Sequence, residues 1–284
     1  MNFLNNLKLG LKEKLTIILI FLAIIPLLVL GGITYNNQKG LIEDKVITVN
    51  ETICSSISTK VTDYINQNLK LLQYLASKEK VKQMNSQELK EFFTDFKEKY
   101  PIYAIVYTTD ADGVLTGSSS SVKAENYDEY VYDDSTWYQE PLKDKSYVSK
   151  EIYISEVSNQ PIVTLSVPVK KNGEVIGVLG GDINLKKLQE IISNIEVDNG
   201  GYGYLVDGVG TLIAHPEFEE RVLKGDNVKD ISVVEQVLKG KSGTSTYLNS
   251  DQVEMLGSYK PIEGTSWGVI AQQPAKKAFS RIDE

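Results

Sequence analysis

Five side chains between residues 130 and 182 are of the types that together hold a cation: Tyr130, Trp137, Tyr138, Tyr153 and Asp182. A cation over an aromatic face gains about 0.5–2 kcal/mol, and a carboxylate adds charge pairing. Asp133 and Asp134 lie in the same stretch, where residues 125–140 hold six acidic side chains and no basic one. Such a run is most often a solvated face, so this pair reads as surface at least as readily as ligand contact. The chemistry is recognition and not bond-making. With one histidine, His215, and one cysteine, Cys54, no set of nucleophile, base and orienting group can be read. Neither an intrachain disulfide nor a multi-cysteine metal site can be built. No enzyme activity, metal or cofactor is expected, and a net charge of −8 argues against nucleic acid as a partner.

Small antiparallel sheets would have to position these residues. Strands are expected at about 146–154, 161–170 and 174–183, the last two joined by Asn172-Gly173, a strong hairpin signal. Trp137-Tyr138 begins a short helix. Asn184 caps the next one, a role open to Asp182 as well. Upstream, Y-A-I-V-Y-T-T and V-L-T flank the turn D-A-D-G at Asp110–Gly113, which lacks the continuation of a calcium loop. The string Y-T-T-D-A-D-G-V-L-T is echoed by Y-L-V-D-G-V-G-T-L-I-A from Tyr204, and G-V-L-G-G-D-I by W-G-V-I-A-Q-Q. Two sheet modules in tandem follow, with residues such as Tyr202, Tyr204 and His215 filling the second. Before them, apolar residues from Leu41 to Leu75 step by threes and fours, and no glycine or proline falls between 41 and 80. That predicts a long stalk helix, its stripe used for dimer contact at the near end and sheet packing farther out. Cys54 reads as a small buried residue on it. A shorter helix opens at Ser86 as N-cap. At the N-terminus, Lys8, Lys12 and Lys14 precede an uncharged apolar run, Leu15–Tyr35, long enough to span a bilayer. The lysines place the N-terminus in the cytoplasm and the remainder outside. The fold class expected is α+β: one transmembrane helix, a long helix, and two tandem antiparallel sheet modules. The divisions are 1–14 cytoplasmic, 15–35 transmembrane, 36–94 helical stalk, 95–183 first module, 184–199 connecting helix, 200–274 second module, and 275–284 the start of a further helix.

This layout resembles the extracellular double-Cache (dCache) sensor domain of bacterial methyl-accepting chemotaxis receptors. The resemblance rests on the paired Asp/Gly turns, the W-Y dipeptide, the N-G hairpin running into G-G-D-I, and A-H-P at His215, and it covers about residues 36–284. It implies PAS-like modules, a ligand pocket in the membrane-distal module, a homodimer through the stalk, and a second membrane helix beyond. In amino-acid-binding relatives, Tyr130, Trp137, Tyr138, Tyr153 and Asp182 match ligand-holding positions, with Asp182 taking the ammonium group. Ser135 stands where those relatives carry the arginine that holds the ligand carboxylate, and Ser155 where they carry an aspartate. The chain has only Arg221 and Arg281, both outside this module, so no bidentate clamp on a carboxylate is available there. Lys143, Lys145 or Lys150 could substitute only as point charges. The expected ligand is therefore an amine, with an amino acid second. The expected function is ligand sensing by a chemoreceptor in the cell membrane, with the ligand shifting helices that lead back to the bilayer. The sensory part of a histidine kinase or diguanylate cyclase, or an anchored extracellular binding protein, are the alternatives.

Overall fold

The computed structural model describes residues 11–155, 160–195, 197 and 200–279, with some side chains between 11 and 43 left aside. The chain divides into two units, Met1–Thr48 with Phe279–Glu284, and Val49–Ala278. Helix α1 runs over Leu11–Ala76. In the first unit, Leu15, Leu19, Ile20, Leu22, Ile24, Ile25, Leu27, Leu28 and Leu30 are all exposed. Of the membrane span expected over Leu15–Tyr35, the side chains of 17, 18, 21, 29 and 31–35 lie outside the description. Among the described residues no helix is long and apolar enough to cross a membrane.

The second unit holds two antiparallel sheets. The first is built from β1 (Tyr103–Asp110), β2 (Leu115–Ser118), β3 (Tyr147–Val148), β4 (Tyr153–Ile154), β5 (Pro161–Lys171) and β6 (Glu174–Asn184). Its order is β2-β1-β6-β5-β3, with β4 also paired to β5. The second sheet has β7 (Tyr202–Val206), β8 (Leu212–Ala214), β9 (Gly243–Leu248), β10 (Glu254–Pro261) and β11 (Gly268–Pro274), in the order β8-β7-β11-β10-β9. The two orders correspond strand for strand, which is the internal repeat seen in the sequence. Helices α2 (Glu79–Gln83), α3 (Ser86–Lys99), α4 (Thr136–Leu142), α5 (Lys186–Ser193), α6 (Ser232–Leu238) and α7 (Ala275–Phe279) are the other α-helices among the described residues.

From Asn50 onward, α1 lies on both sheets. Cys54, Ile57, Val61, Ile65, Leu72 and Leu75 share one buried face and one core with both modules. Each such side chain contributes about 1.5–3 kcal/mol by leaving water. Polar groups fix the register: Asn50 Oδ1 accepts from Gln273 Nε2 at 2.9 Å, and Asn68 Oδ1 accepts from Tyr103 Oη at 2.9 Å. The stripe assigned in part to dimer contact is thus filled, from Asn50 to Ala76, by the chain's own sheets. Burial pushes the Cys54 thiol up to about 12, so it is a packed, unreactive group.

The stalk helix ends at Ala76, just after the last apolar position of its stripe, and the short α2 follows. Two local expectations need correction. The N-cap of α3 is Asn85, whose Oδ1 accepts from Glu88 N at 3.1 Å; Ser86 is the first helical residue. The strand expected over 146–154 is two short strands, because after Ser149, which still bonds β5, Lys150–Ile152 turns away to bond the second sheet.

Candidate functional site

Asp182 sits on β6 between Ile105 of β1 and Thr164 of β5. A two-residue hairpin at Asn172-Gly173 would by itself place Val163 opposite Asp182. A bulge between Val169 and Lys170 shifts the ladder by one residue and brings Thr164 there instead. Tyr107 lies two residues along β1, opposite Gly180. A Cβ on Gly180 would come within 2.4 Å of the Tyr107 ring. Glycine there lets the ring lie along the sheet and reach Asp182.

Three hydroxyls converge on one carboxylate oxygen. Thr164 Oγ1, Tyr153 Oη and Tyr107 Oη donate to Asp182 Oδ1 at 2.7, 3.0 and 3.1 Å. Tyr153 Oη and Thr164 Oγ1 also lie against each other. Among the described residues none donates to Oδ2. Burial pushes the Asp182 carboxyl up to about 6, against the hydroxyl bonds that lower it. Burial first, and the Asp182 charge second, push the phenols of Tyr107 and Tyr153 well above the usual range. The phenols are therefore fixed donors and Asp182 is the group that titrates. It does not cap a helix, and neither does Asn184 as expected: the N-cap of α5 is Leu185, and Asn184, one residue earlier, accepts from Lys186 N at 3.2 Å.

Asp182 lines a cavity of about 420 Å³ together with Ile105, Tyr107, Leu115, Ser118, Ser120, Val122, Tyr130, Tyr132, Ser135, Trp137, Tyr153, Ile154 and Ser155. Asp182 is the one charged side chain of this lining. The aromatic wall has its own supports. Tyr130–Tyr132 pairs with the β2 edge through Leu115 N to Tyr130 O at 3.0 Å and Tyr132 N to Gly113 O at 3.0 Å. Gly113 takes φ 84°, and a Cβ on it would meet Asp133 N at 3.0 Å, so this approach needs glycine. Trp137 is held by Ser166 Oγ donating to its carbonyl at 2.6 Å, and its ring meets Tyr107 edge-on at 4.9 Å and Tyr132 at 5.3 Å. Tyr153 is 41 % exposed: its ring forms the cavity's outer edge while its hydroxyl turns inward.

Of the residues singled out in the sequence, Tyr130, Ser135, Trp137, Tyr153, Ser155 and Asp182 come together here. Tyr138 does not line the cavity. It is buried beneath α4, donating to Ala111 O at 2.7 Å. Asp133 is exposed, and Asp134 lines an adjoining open cleft with Glu140, Lys150 and Glu151. That cleft shares Ser135, Trp137 and Tyr153 with the cavity and carries the one cationic side chain of either lining, Lys150. Lys143 is paired with Glu140 at 2.6 Å. Sequence reasoning missed Tyr107, Thr164 and Tyr132. Tyr107 had a signal, since it opens the repeated turn string. Thr164 had none, because the bulge that places it leaves no mark in composition.

The second sheet repeats the arrangement with a neutral centre. By ladder position, Tyr204, Tyr247 and Gln272 correspond to Tyr107, Tyr153 and Asp182, and Tyr247 Oη bonds Gln272 Oε1. All three are buried. His215 packs edge-on to Tyr202 at 5.1 Å, and burial, then the Arg221 charge, hold its imidazole down at about 4. It is a neutral core residue. Among the described residues no group of three His, Cys, Asp or Glu side chains could hold a metal.

Two tandem antiparallel sheets on one long helix, with an aromatic-walled cavity in the first, define a domain of the Cache type. The chain belongs to the Cache domain family, whose family model matches residues 36–282. The methyl-accepting chemotaxis protein PscA of Pseudomonas syringae pv. tomato is 22% identical over 283 residues, covering 97% of this chain and 43% of its own length. McpB of Bacillus subtilis, another methyl-accepting chemotaxis protein, is 24% identical over 275 residues, covering 94% of this chain and 39% of its own. The chain thus spans less than half of these relatives. Among solved structures, the ligand-binding domain of the Pseudomonas fluorescens chemoreceptor CtaA, in complex with L-isoleucine, matches with a TM-score of 0.66 at 20% identity. That match covers 86% of this chain and 98% of the CtaA domain.

Proposed function

We propose that this chain is the sensory part of a membrane receptor of the chemotaxis type, and that it holds its ligand through an ammonium group on Asp182. The observation that carries this reading is the saturation of Oδ1 by three hydroxyls, with no described donor to Oδ2, in a cavity walled by aromatic rings. A buried carboxylate with one oxygen fixed presents the other as a preorganised acceptor. Two ammonium-bearing classes fit. An α-amino acid is favoured by the relative solved with L-isoleucine, and its carboxylate would lie toward Ser135 of the shared wall and Lys150 of the adjoining cleft. A simple amine is favoured by the lining itself, which lacks any cation to pair a carboxylate. The exposed apolar side chains from Leu15 to Leu30 support a membrane anchor on α1, since hydrocarbon accepts such a surface and water does not. The output would be a small displacement of the sheets against the Asn50–Ala76 face of α1, a kind of packed interface that moves between discrete arrangements. Calorimetry of L-isoleucine, L-arginine and putrescine on the full chain tests the site. Binding that Asp182→Asn abolishes supports the reading; binding that survives the substitution refutes it.

A further inference from the structure

The break in the edge of the first sheet is held from two sides. Toward its own sheet, Ser149 N donates to Thr164 O at 2.8 Å, and Thr164 N donates to Ser149 Oγ at 3.1 Å. Thr164 is the residue whose hydroxyl donates to Asp182. Toward the second sheet, Trp267 Nε1 donates to Ser149 O at 2.9 Å, Gly208 N to Lys150 O at 2.8 Å, and Ile152 N to Asp207 Oδ2 at 3.1 Å. Tyr153 follows directly, with its hydroxyl on Asp182.

The second-sheet partners are unusual for their own positions. Asp207 is fully buried. Its Oδ1 closes a turn by accepting from Val209 N at 3.0 Å and Thr211 N at 2.8 Å. Asp110, its counterpart in the first module, closes the equivalent turn from Asp112 N and Val114 N, both at 3.0 Å. Only in Asp207 is the second oxygen given to the other module. Trp267, among the largest fully buried side chains, likewise spends its single donor on a carbonyl outside its own sheet. The backbones come so close that a Cβ on Gly208 would lie 3.0 Å from Lys150 O. A turn or a core needs none of these contacts; a loop that must be held at a fixed height needs all of them.

We infer that Asp207 and Trp267 are positioning residues for the ligand cavity: through the Ser149–Ile152 loop they set where Tyr153 stands. By reciprocity, whatever moves Tyr153 in the cavity must move the second sheet. The part of this that concerns ligand rests on the function proposed above, but the positioning itself does not, and its test uses no ligand. The full chain in detergent micelles is labelled with 13C at the tyrosine Cζ, and the Tyr153 resonance is assigned from its loss in Tyr153→Phe. Asp207→Asn places a donor against either the turn or Ile152 N, and Trp267→Phe removes the indole bond while keeping an aromatic ring. Both are expected to displace the Tyr153 resonance beyond its line width, while Asp110→Asn, which disturbs the equivalent turn without touching the seam, leaves it in place. In the reverse direction, Tyr153→Phe is expected to speed amide exchange at Gly208 severalfold, while Tyr103→Phe, which removes a buried hydroxyl on the α1 side, does not. An unmoved Tyr153 resonance in the seam variants that fold, or an equal shift in Asp110→Asn, overturns the inference. So does unchanged exchange at Gly208 in Tyr153→Phe. Should ammonium ligands fail to bind while these couplings hold, the proposed function falls and the positioning stands.

Discussion

At the scale of the residue, Asp182 carries a cost that its surroundings only partly offset. Its pKa is raised from 3.8 to about 6 by burial. A raised acid favours the folded state when protonated, so this group's contribution to stability is complete below about pH 4 and is lost as pH rises through about 6. Two units correspond to about 3 kcal/mol in the ionised state. Asp182→Asn keeps an acceptor for the hydroxyls and removes the charge. It should raise the melting temperature at pH 8, by the equivalent of about 1–3 kcal/mol, and the gain should vanish in melts at pH 4. The same substitution should weaken binding of an ammonium ligand at least about 30-fold, because a buried cation would lose its counter-charge. Stability gained and function lost at one position is the pattern of a binding group. Binding to the wild type should also weaken about tenfold per pH unit below 6, where protonated Asp182 no longer pairs a cation. A titration calorimetry series from pH 8 to pH 5 checks it, and a flat profile would count against Asp182 as the ligand's partner.

At the scale of the element, the site depends on two backbone features. Gly180 gives Tyr107 room to lie over β6, and a Cβ there would sit 2.4 Å from its ring. Gly180→Ala should cost about 1–3 kcal/mol in urea melts and weaken ammonium binding, since the ring must lift away from Asp182. A variant as stable as the wild type would show that the ring has another place to go. The bulge at Val169/Lys170 is the second feature. Much of the architecture could be read from the sequence because each signal was local: the Asn172-Gly173 turn, the three-and-four spacing on α1, the repeated Asp/Gly turns. Asp182, Trp137 and Tyr153 could be read from spacing together with resemblance. Thr164 could not, since one extra residue in β6 decides which side of β5 faces the carboxylate. The break at Ser149–Ile152 was also hidden, because alternation over 146–154 suits one strand and only the second sheet's donors pull the middle out. Asp133 stood out for its charge, yet charge without geometry left it in solvent.

At the scale of the whole molecule, a family defined by its fold is joined to a cavity with one buried charge. The two sheets share strand order and the tyrosine pair, and differ at the centre, Asp182 in one and Gln272 in the other. On the proposed function, that difference assigns the cation to the first module, while the second holds a neutral amide bonded to Tyr247. If α1 anchors the chain in a bilayer, the full protein should stay with membranes through an alkaline carbonate wash; release into the soluble fraction would remove the anchor from this account. The most direct test of the central claim is a matched-ligand panel on the full chain by calorimetry at pH 8: L-isoleucine, isobutylamine and N-acetyl-L-isoleucine. The account predicts that only compounds with a free ammonium bind, that acetylation abolishes binding, and that Asp182→Asn loses it. Equal binding of the acetylated compound, or undiminished binding to Asp182→Asn, would contradict it.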